Sequence, residues 1–396
     1  MELQNTYAFI LGKNQELSIA EIVSYLSTRK LIFEVLNFTN DFLVVKIDDV
    51  LKVKIQDLGG VLKIASLSYF EQYENFDNLN FAKFFPIADK TMDFGVSLYG
   101  DSYKKFKAIS LGVKKSLKQI GIRSSYFHLE PPRTCTTHVE IINKNLLESA
   151  DLVFCRLGEN YYVGKTLQVH NPFEFQKRDV FKASQRAMYS ISPRLSKIMI
   201  NFLGIEKGVV LDAFCGFGSI LQEAVLSGFD VRGIDIEKQC VDASIQNLQW
   251  LEKEYKIQIQ GIGRKIIQGN AKRLTNYFEK ISIDGIVSEP YLGPALKAKP
   301  DSYQANRILR ELSPMYEAFF REAAQVLKSG GRICIVSPRF QTQSGTFKID
   351  IERLGSKFGL RQIDILKPYK IQHQVPILDF EERHKLIREI NVLEKI

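Results

Sequence analysis

A chain of 396 residues with 45% hydrophobic side chains can bury a sizeable core across two or three domains, which excludes a disordered tail or a fibre. Lysine and arginine number 54 against 45 aspartate and glutamate, a net charge of +9 that favours a polyanionic partner without naming it. The five cysteines (Cys135, Cys155, Cys215, Cys240, Cys334) never form a CxxC pair, which argues against a disulfide framework or zinc site and for a reducing cytosol. The opening "MELQNTYAFILGKNQELS" shows no charged leader ahead of a long apolar core, and no run approaches the roughly 18 residues a membrane span needs. A cytoplasmic protein without a membrane anchor is therefore expected.

In chain order, residues 1 to about 165 mix short apolar strands ("TYAFIL", "DFLVVKI", "ADLVFCRL", "NYYVGKTLQV") with helices ("SIAEIVSYLSTRK", "YKKFKAISLGVKKSLKQIG"). This reads as an α+β region of two small units. The basic stretch "HNPFEFQKRDVFKASQRAM" reads as a linker or docking segment, and Ser192-Pro193 as a helix N-cap and first-turn proline before "RLSKIMINFL". From Gly208 the pattern becomes regular: strand "GVVLDAF", helix "SILQEAVLSG", strand "VRGIDI", helix "KQCVDASIQNLQWLEKEY", strands "KIIQGN" and "DGIVSE", a helical stretch to Leu327, then strand "GRICIVSP". Apolar strands alternating with amphipathic helices predict a doubly wound parallel sheet, whose ligands sit outside the carboxyl ends of the strands. The C-terminal "QVPILDFEERHKLIREINVLEKI" places Leu386, Ile387, Ile390 and Leu393 at helical spacing and predicts an amphipathic helical tail.

The first strand runs into "LDAFCGFGSILQEA", where Gly216 and Gly218 permit a tight turn and close backbone approach by a ligand. A dinucleotide fingerprint would want a third glycine where this chain has Leu221, which weighs against a nicotinamide or flavin. Asp212 closes the first strand and could receive an ammonium, while Asp235 closes the second and could accept two hydrogen bonds from a ribose diol. Asn270 closes the third, where its amide can read an adenine edge, with Ile236 and Ala271 as apolar neighbours of the ring. Any one of these groups alone reads as a helix cap or a solvated strand end. In this order at successive strand ends they outline S-adenosylmethionine, with Ala213, Phe214 and Cys215 lining the loop. Cys215 has no adjacent base to activate it and reads as a small lining residue.

The fourth strand ends in "VSEPYLGP". A group there faces the donor across the switch point. Tyr291 can stack on an exposed base, while Glu289 and a main-chain carbonyl held by Pro290 can accept the hydrogens of an exocyclic amine. The helix "YKKFKAISLGVKKSLKQIG" and the residues after it carry Lys114, Lys115, Lys118 and Arg123 as a candidate phosphate-binding face. Arg194 and Lys197 are second-tier candidates. His128, His138, His170, His373 and His384 form no spaced cluster and are read as core or surface histidines, so no metal is expected.

At these motifs the sequence resembles the THUMP-domain tRNA guanosine methyltransferases, a family that modifies the guanine 2-amino group. "DAFCGFGSILQEA" looks like the family's donor loop, and "KRD" at 177–179 with "PRLSKIMINFL" like its lead-in helix. "YYVGKTLQVHNPFEFQKRD" is similar to its THUMP exit, and "AFILGKNQELSIAEIVSYL" to the ferredoxin-like segment before THUMP. The resemblance implies an α/β chain: a ferredoxin-like domain at 1–60, a THUMP domain at 61–168, a linker at 169–192, a Rossmann-like class I methyltransferase domain at 193–372 and a helical tail at 373–396. It further implies tRNA as substrate, guanosine 10 as target, and room for a small activator protein. The family's strand-four motif is Asp or Asn, Pro, Pro, aromatic, whereas this chain has Glu289-Pro290-Tyr291-Leu292. Glu289 takes the place of the acid in the preferred register, and Ser288 in the alternative one. A DNA amino-methyltransferase ranks lower because the extra segment is N-terminal and THUMP-like. The nonstandard motif keeps open a catalytically weak RNA-binding protein.

Overall fold

The computed structural model describes residues 1–85, 91–185, 191–380 and 385–396. His384 and residues 186–190 of the expected linker lie outside them. The chain divides into two compact units, one of residues 1–15, 30–56 and 61–173, the other of 16–29, 57–60 and 174–396.

The first unit is built on an eight-stranded sheet. Its strands are β1 (Glu2–Leu11), β2 (Phe33–Phe38), β3 (Phe42–Ile47), β4 (Val61–Gln72), β5 (Thr91–Tyr99), β6 (Arg123–Tyr126), β7 (Asp151–Leu157) and β8 (Asn160–Val169), in the order β2-β3-β1-β4-β8-β7-β5-β6. The expected boundary at residue 60 does not divide this sheet: β1 pairs antiparallel with β4, Ala8 opposite Ala65. The two stretches expected as separate domains thus share one ladder. Helix α2 (Tyr103–Gln119) is capped by Ser102 and buries Phe106, Ile109, Val113 and Leu117 in a cluster with Val96, Leu98 and Phe154. That 3.6-residue stripe leaves Lys114, Lys115 and Lys118 on the exposed face. At the centre of the sheet Lys63 pairs with Asp151 at 3.1 Å, both buried, and the hydroxyls of Ser97 and Thr166 donate to the same carboxylate.

In the second unit α1 (Gln15–Thr28) contributes Glu21, whose buried carboxylate accepts the N–H groups of Gly59 and Gly60 at 2.7 Å each and the Asn201 amide at 2.8 Å. After α3 (His138–Asn143) in the first unit come α4 (Pro172–Val180), α5 (Pro193–Asn201), β9 (Val209–Asp212), α6 (Ser219–Leu226), β10 (Asp230–Asp235), α7 (Lys238–Tyr255), the single turn α8 (Ile262–Lys265) and β11 (Ile266–Gln268). Then follow β12 (Ile283–Ser288), α9 (Ser302–Val326), β13 (Leu327–Thr342), β14 (Gly345–Lys348), β15 (Leu360–Gln362), β16 (Ile377–Asp379) and β17 (Ile387–Lys395). The sheet order is β11-β10-β9-β12-β13-β17-β15, parallel from β11 to β13 as the alternating pattern predicts. The chain leaves β9 toward β10 and returns on its other side as β12, which creates a switch point at the tips of β9 and β12. Helix α9 buries Ile308, Leu312, Tyr316, Phe319 and Phe320 in one core with Leu211, Ile286, Ile333 and Ile335.

One expectation is corrected here. Among the described residues of the expected helical tail at 373–396 the chain forms strand instead: β17 runs antiparallel between β13 and β15, with Ile390, Asn391, Val392 and Leu393 all buried. A strand buried on both faces reads as a continuous apolar run, which helical spacing also matches. The stretch expected as a linker or docking segment contains α4, and Arg178 on that helix is buried against Glu223 of α6, so this helix is docked.

Candidate active site

The tips of β10, β9 and β12 carry Asp235, Asp212 and Glu289. Asp212 is 1% exposed, and its Oδ1 accepts the Phe214 N–H at 3.1 Å. Burial, aided by the Asp235 and Glu289 charges, pushes its carboxyl up to about 7, against the hydrogen bonds of the Phe214 N–H and the Ser288 hydroxyl. Asp235 accepts the N–H of Gly216 at 2.8 Å and of Glu237 at 3.0 Å, and burial raises its pKa too. Asp212 and Asp235 on adjacent strand ends make a cleft that favours a cation, while Arg388 offsets the charge of Glu289.

The loop between β9 and α6 follows from its glycines. Gly216 has φ +48° and Gly218 φ +79°, and a Cβ at Gly218 would stand 2.5 Å from Ser244 Oγ on α7. Only glycine fits that approach. Cys215 is buried, and burial followed by the Asp212 and Asp235 charges pushes its thiol up, which suits a lining residue and not a nucleophile. Ala213 is buried, while the ring of Phe214 stands 5.5 Å from that of Phe319. Beyond the loop Ile236 is 65% exposed, an apolar side chain left in the open immediately after Asp235, and Ala271 is buried nearby in sequence to Asn270. Asn270 Oδ1 caps the next turn by accepting the Lys272 N–H at 2.9 Å.

Across the switch point, Ser288 is fully buried and its Oγ accepts the Ala213 N–H at 2.9 Å. The Ser288 hydroxyl is thus used in joining strand four to the loop of strand one. Glu289 Oε1 instead accepts from Arg388 Nε at 2.6 Å, Pro290 is buried, and Tyr291 is 57% exposed. An exposed aromatic next to a held carboxylate offers one stacking face and one acceptor.

The basic candidates separate. Lys114, Lys115, Lys118 and Arg123 are exposed. Arg194 and Lys197 are corrected: α5 turns them inward. Lys197 is buried with Nζ 3.2 Å from Glu223, and Arg194 Nε donates to the Gly59 carbonyl at 2.7 Å. Lys197 is neutralised by a buried carboxylate, and Arg194 is half-buried with its Nε turned to a carbonyl inside the fold, which places both poorly for a phosphate.

Several residues at the site went unread in the sequence. Asn247 is fully buried on α7 and donates to the carbonyls of Phe217 at 2.9 Å and Ser184 at 3.0 Å, bracing the loop from behind. Its signal was a polar residue in step with the buried Ala243, Ser244, Leu248 and Leu251. Arg388 gave no local signal, because its partner is 99 residues away. Among the described residues no group of three or more His, Cys, Asp and Glu is placed to hold a metal. Nor is any helix among them long and apolar enough to cross a membrane.

A family model described as a methyltransferase domain matches residues 206–363. The tRNA (guanine(10)-N2)-dimethyltransferase of Methanothermobacter thermautotrophicus is 31% identical over 175 residues, 44% of this chain and 44% of that protein. The enzyme of the same name from Pyrococcus abyssi is 24% identical over 45% of this chain and 51% of its own. The chain thus spans about half the length of these curated relatives. Among solved structures, TrmN from Thermus thermophilus superposes with a TM-score of 0.53 at 14% identity, covering 99% of this chain and 100% of that one. SMU.472, a methyltransferase-like protein solved with SAH, gives 0.51 at 11% identity, covering 100% of this chain and 99% of its own. At such identities the superpositions show the fold: mixed α/β, with a Rossmann-like methyltransferase domain.

Proposed function

We propose that this chain is an S-adenosylmethionine-dependent methyltransferase acting on the 2-amino group of a guanosine in tRNA, position 10 by resemblance to its relatives. The observation that carries the reading is Glu289-Pro290-Tyr291 at the switch point, beside Asp212, in a domain related to enzymes named for that reaction. Asp212 would hold the donor's ammonium, Asp235 its ribose and Asn270 with Ile236 and Ala271 its adenine. The fit rests on the open glycine loop and a cluster of carboxylates suited to a cation. When bound, the donor supplies a methyl group on a positively charged sulfur.

The chain's own residues position and polarise. Tyr291 stacks the guanine, and Glu289 with its main-chain carbonyl accepts the amine hydrogens, so the nitrogen lone pair points into the cleft. The carboxylate offsets positive charge as it grows on nitrogen and takes the departing proton. Lys114, Lys115, Lys118 and Arg123 hold tRNA phosphates, on a first unit read as ferredoxin-like and THUMP. A small activator subunit and a cytoplasmic location belong to the same proposal. The test is transfer of labelled methyl from S-adenosylmethionine to unmodified tRNA, followed by nucleoside analysis. Methylguanosine supports the reading; label on DNA adenine or cytosine, or on no nucleic acid, rejects it.

Two further results are expected. Donor affinity, measured by calorimetry, should strengthen as pH rises to about 7 and then level off. The sign follows from the raised Asp212 carboxyl: the free protein holds a proton there below about 7, and an ammonium beside it expels that proton. The same shift makes the site's contribution to folding stability greatest below the ordinary aspartate range and lost as pH rises through about 7. Asp212→Asn should flatten the affinity profile; an unchanged profile would remove Asp212 from the ammonium site. Gly218→Ala should weaken donor binding roughly tenfold, since a left-handed backbone costs a non-glycine residue about 1–2 kcal/mol before the Ser244 clash is counted. Adding Ser244→Ala should recover part of the loss, and equal affinity for Gly218→Ala and wild type would show that the loop does not approach the donor.

A further inference from the structure

Arg388 stands on β17, opposite Pro338 of β13 and Asp379 of β16. Its Nε donates to Glu289 Oε1 at 2.6 Å, and its Nη1 lies 3.8 Å from Asp379 Oδ2. The side chains of Arg388 and Glu289 are 16% and 13% exposed, so the pair is largely shielded yet reaches the cleft. We propose that Arg388 is the positioning residue of the methyl-transfer site, holding the Glu289 carboxylate in the orientation that receives the substrate amine. This rests on the function proposed above and adds a residue and an element to it.

Glutamate has one more rotatable bond than the aspartate or asparagine usual at this strand tip, and its carboxylate is correspondingly freer to wander. A guanidinium is a planar fork that fixes a carboxylate in direction as well as distance. The bond to Nε uses one of about four acceptor positions on the carboxylate, so holding it does not exhaust its capacity for amine hydrogens. Asp379, on the far strand, steadies the guanidinium from a second side. The pair also explains why the last strand matters to a cleft formed at the tips of β9 and β12. Chain from β17 supplies the counter-charge to a carboxylate that stands near the acidic Asp212. A brace between two strands needs no such place. This one holds the side chain next to the exposed Tyr291.

The experiment compares Arg388→Met and Arg388→Lys in the wild-type and Glu289→Gln backgrounds, with single-turnover methyl transfer, donor affinity and tRNA KM measured for each. Arg388→Met should lose about 10²-fold in the methyl-transfer rate, the cost of displacing a reacting group by about an ångström, with KM and donor affinity kept. Arg388→Lys should fall between, and Arg388→Met should add little once Glu289 is already glutamine. An equal loss in both backgrounds, or a change confined to KM or donor affinity, overturns the proposal. If the wild type forms no methylguanosine, the proposed function fails, and crystal structures then read positioning without turnover. Glu289 displaced in Arg388→Met with β17 in place supports Arg388 as its anchor; Glu289 unmoved overturns it.

Discussion

Replacing Glu289 by alanine is expected to cut methyl transfer to tRNA by about 10²–10³-fold, the scale of a lost transition-state acceptor, with donor binding retained. The carboxylate is the only charged acceptor in the Glu289-Pro290-Tyr291 tip, and the hydroxyl of Ser288 already accepts the Ala213 N–H. Nothing else in that tripeptide can both accept an amine hydrogen and carry negative charge. Glu289→Gln keeps the shape and one acceptor oxygen but presents an NH₂ where the carboxylate presented a lone pair, so it should retain more activity than alanine and less than wild type. Glu289→Asp shortens the reach to Arg388 and should lose activity for a different reason, by misplacement. Single-turnover rates on unmodified tRNA distinguish the three. Full activity in Glu289→Ala would leave Ser288 as the group in the acid's place and would end the role assigned to Glu289.

The largest effect on stability is expected at Glu223, which is fully buried on α6 and receives Arg178 from α4 and Lys197 from α5 at 3.2 Å. Arg178 also reaches the Tyr255 hydroxyl at 2.9 Å, so α4 and α5 meet on the Glu223 carboxylate of α6 and the end of α7 joins them through Arg178. Removing one member of such a buried group strands the others, and Glu223→Ala should cost about 3–5 kcal/mol. For a unit of this size that corresponds to a fall in Tm of roughly 10 °C. Glu223→Gln can still accept from both cations but lacks the charge, and should fall between. Scanning calorimetry of the whole chain decides it: a Tm equal to the wild type would show that the cluster relaxes to water at little cost. Because α6 begins at the glycine loop proposed to hold the donor, Glu223→Ala should also loosen donor binding.

How much of the site was legible depends on where each partner lies. The sequence pattern places Asp212, Gly216, Gly218, Asp235 and Asn270 at successive strand ends, and in the structure Asp212 accepts the Phe214 N–H and Asp235 the Gly216 N–H of the glycine loop. The basic stripe of α2 was equally legible, because an amphipathic helix shows its exposed face in its spacing. Arg194 and Lys197 were misread for a related reason. They fall on an apolar helix, where a charged residue looks exposed until the neighbouring carboxylate or carbonyl is known. The pattern also missed Asn247, whose amide meets the Phe217 carbonyl across two elements.

Residue order alone determined the alternation of strand and helix, the glycine loop and the sequence of polar groups along the strand ends, since each is a short-range property of backbone geometry and side-chain period. Tertiary structure decided the rest. The final segment became a strand because β13 and β15 leave a slot whose ladder must be filled, and a helix there would leave their N–H and C=O groups unpaired. That choice carries Arg388 to Glu289 across 99 residues of chain, and α5 likewise turns Lys197 inward to the buried Glu223. Periodicity reports which face of an element is apolar. Which charge meets which inside the fold is set by packing between elements distant in sequence.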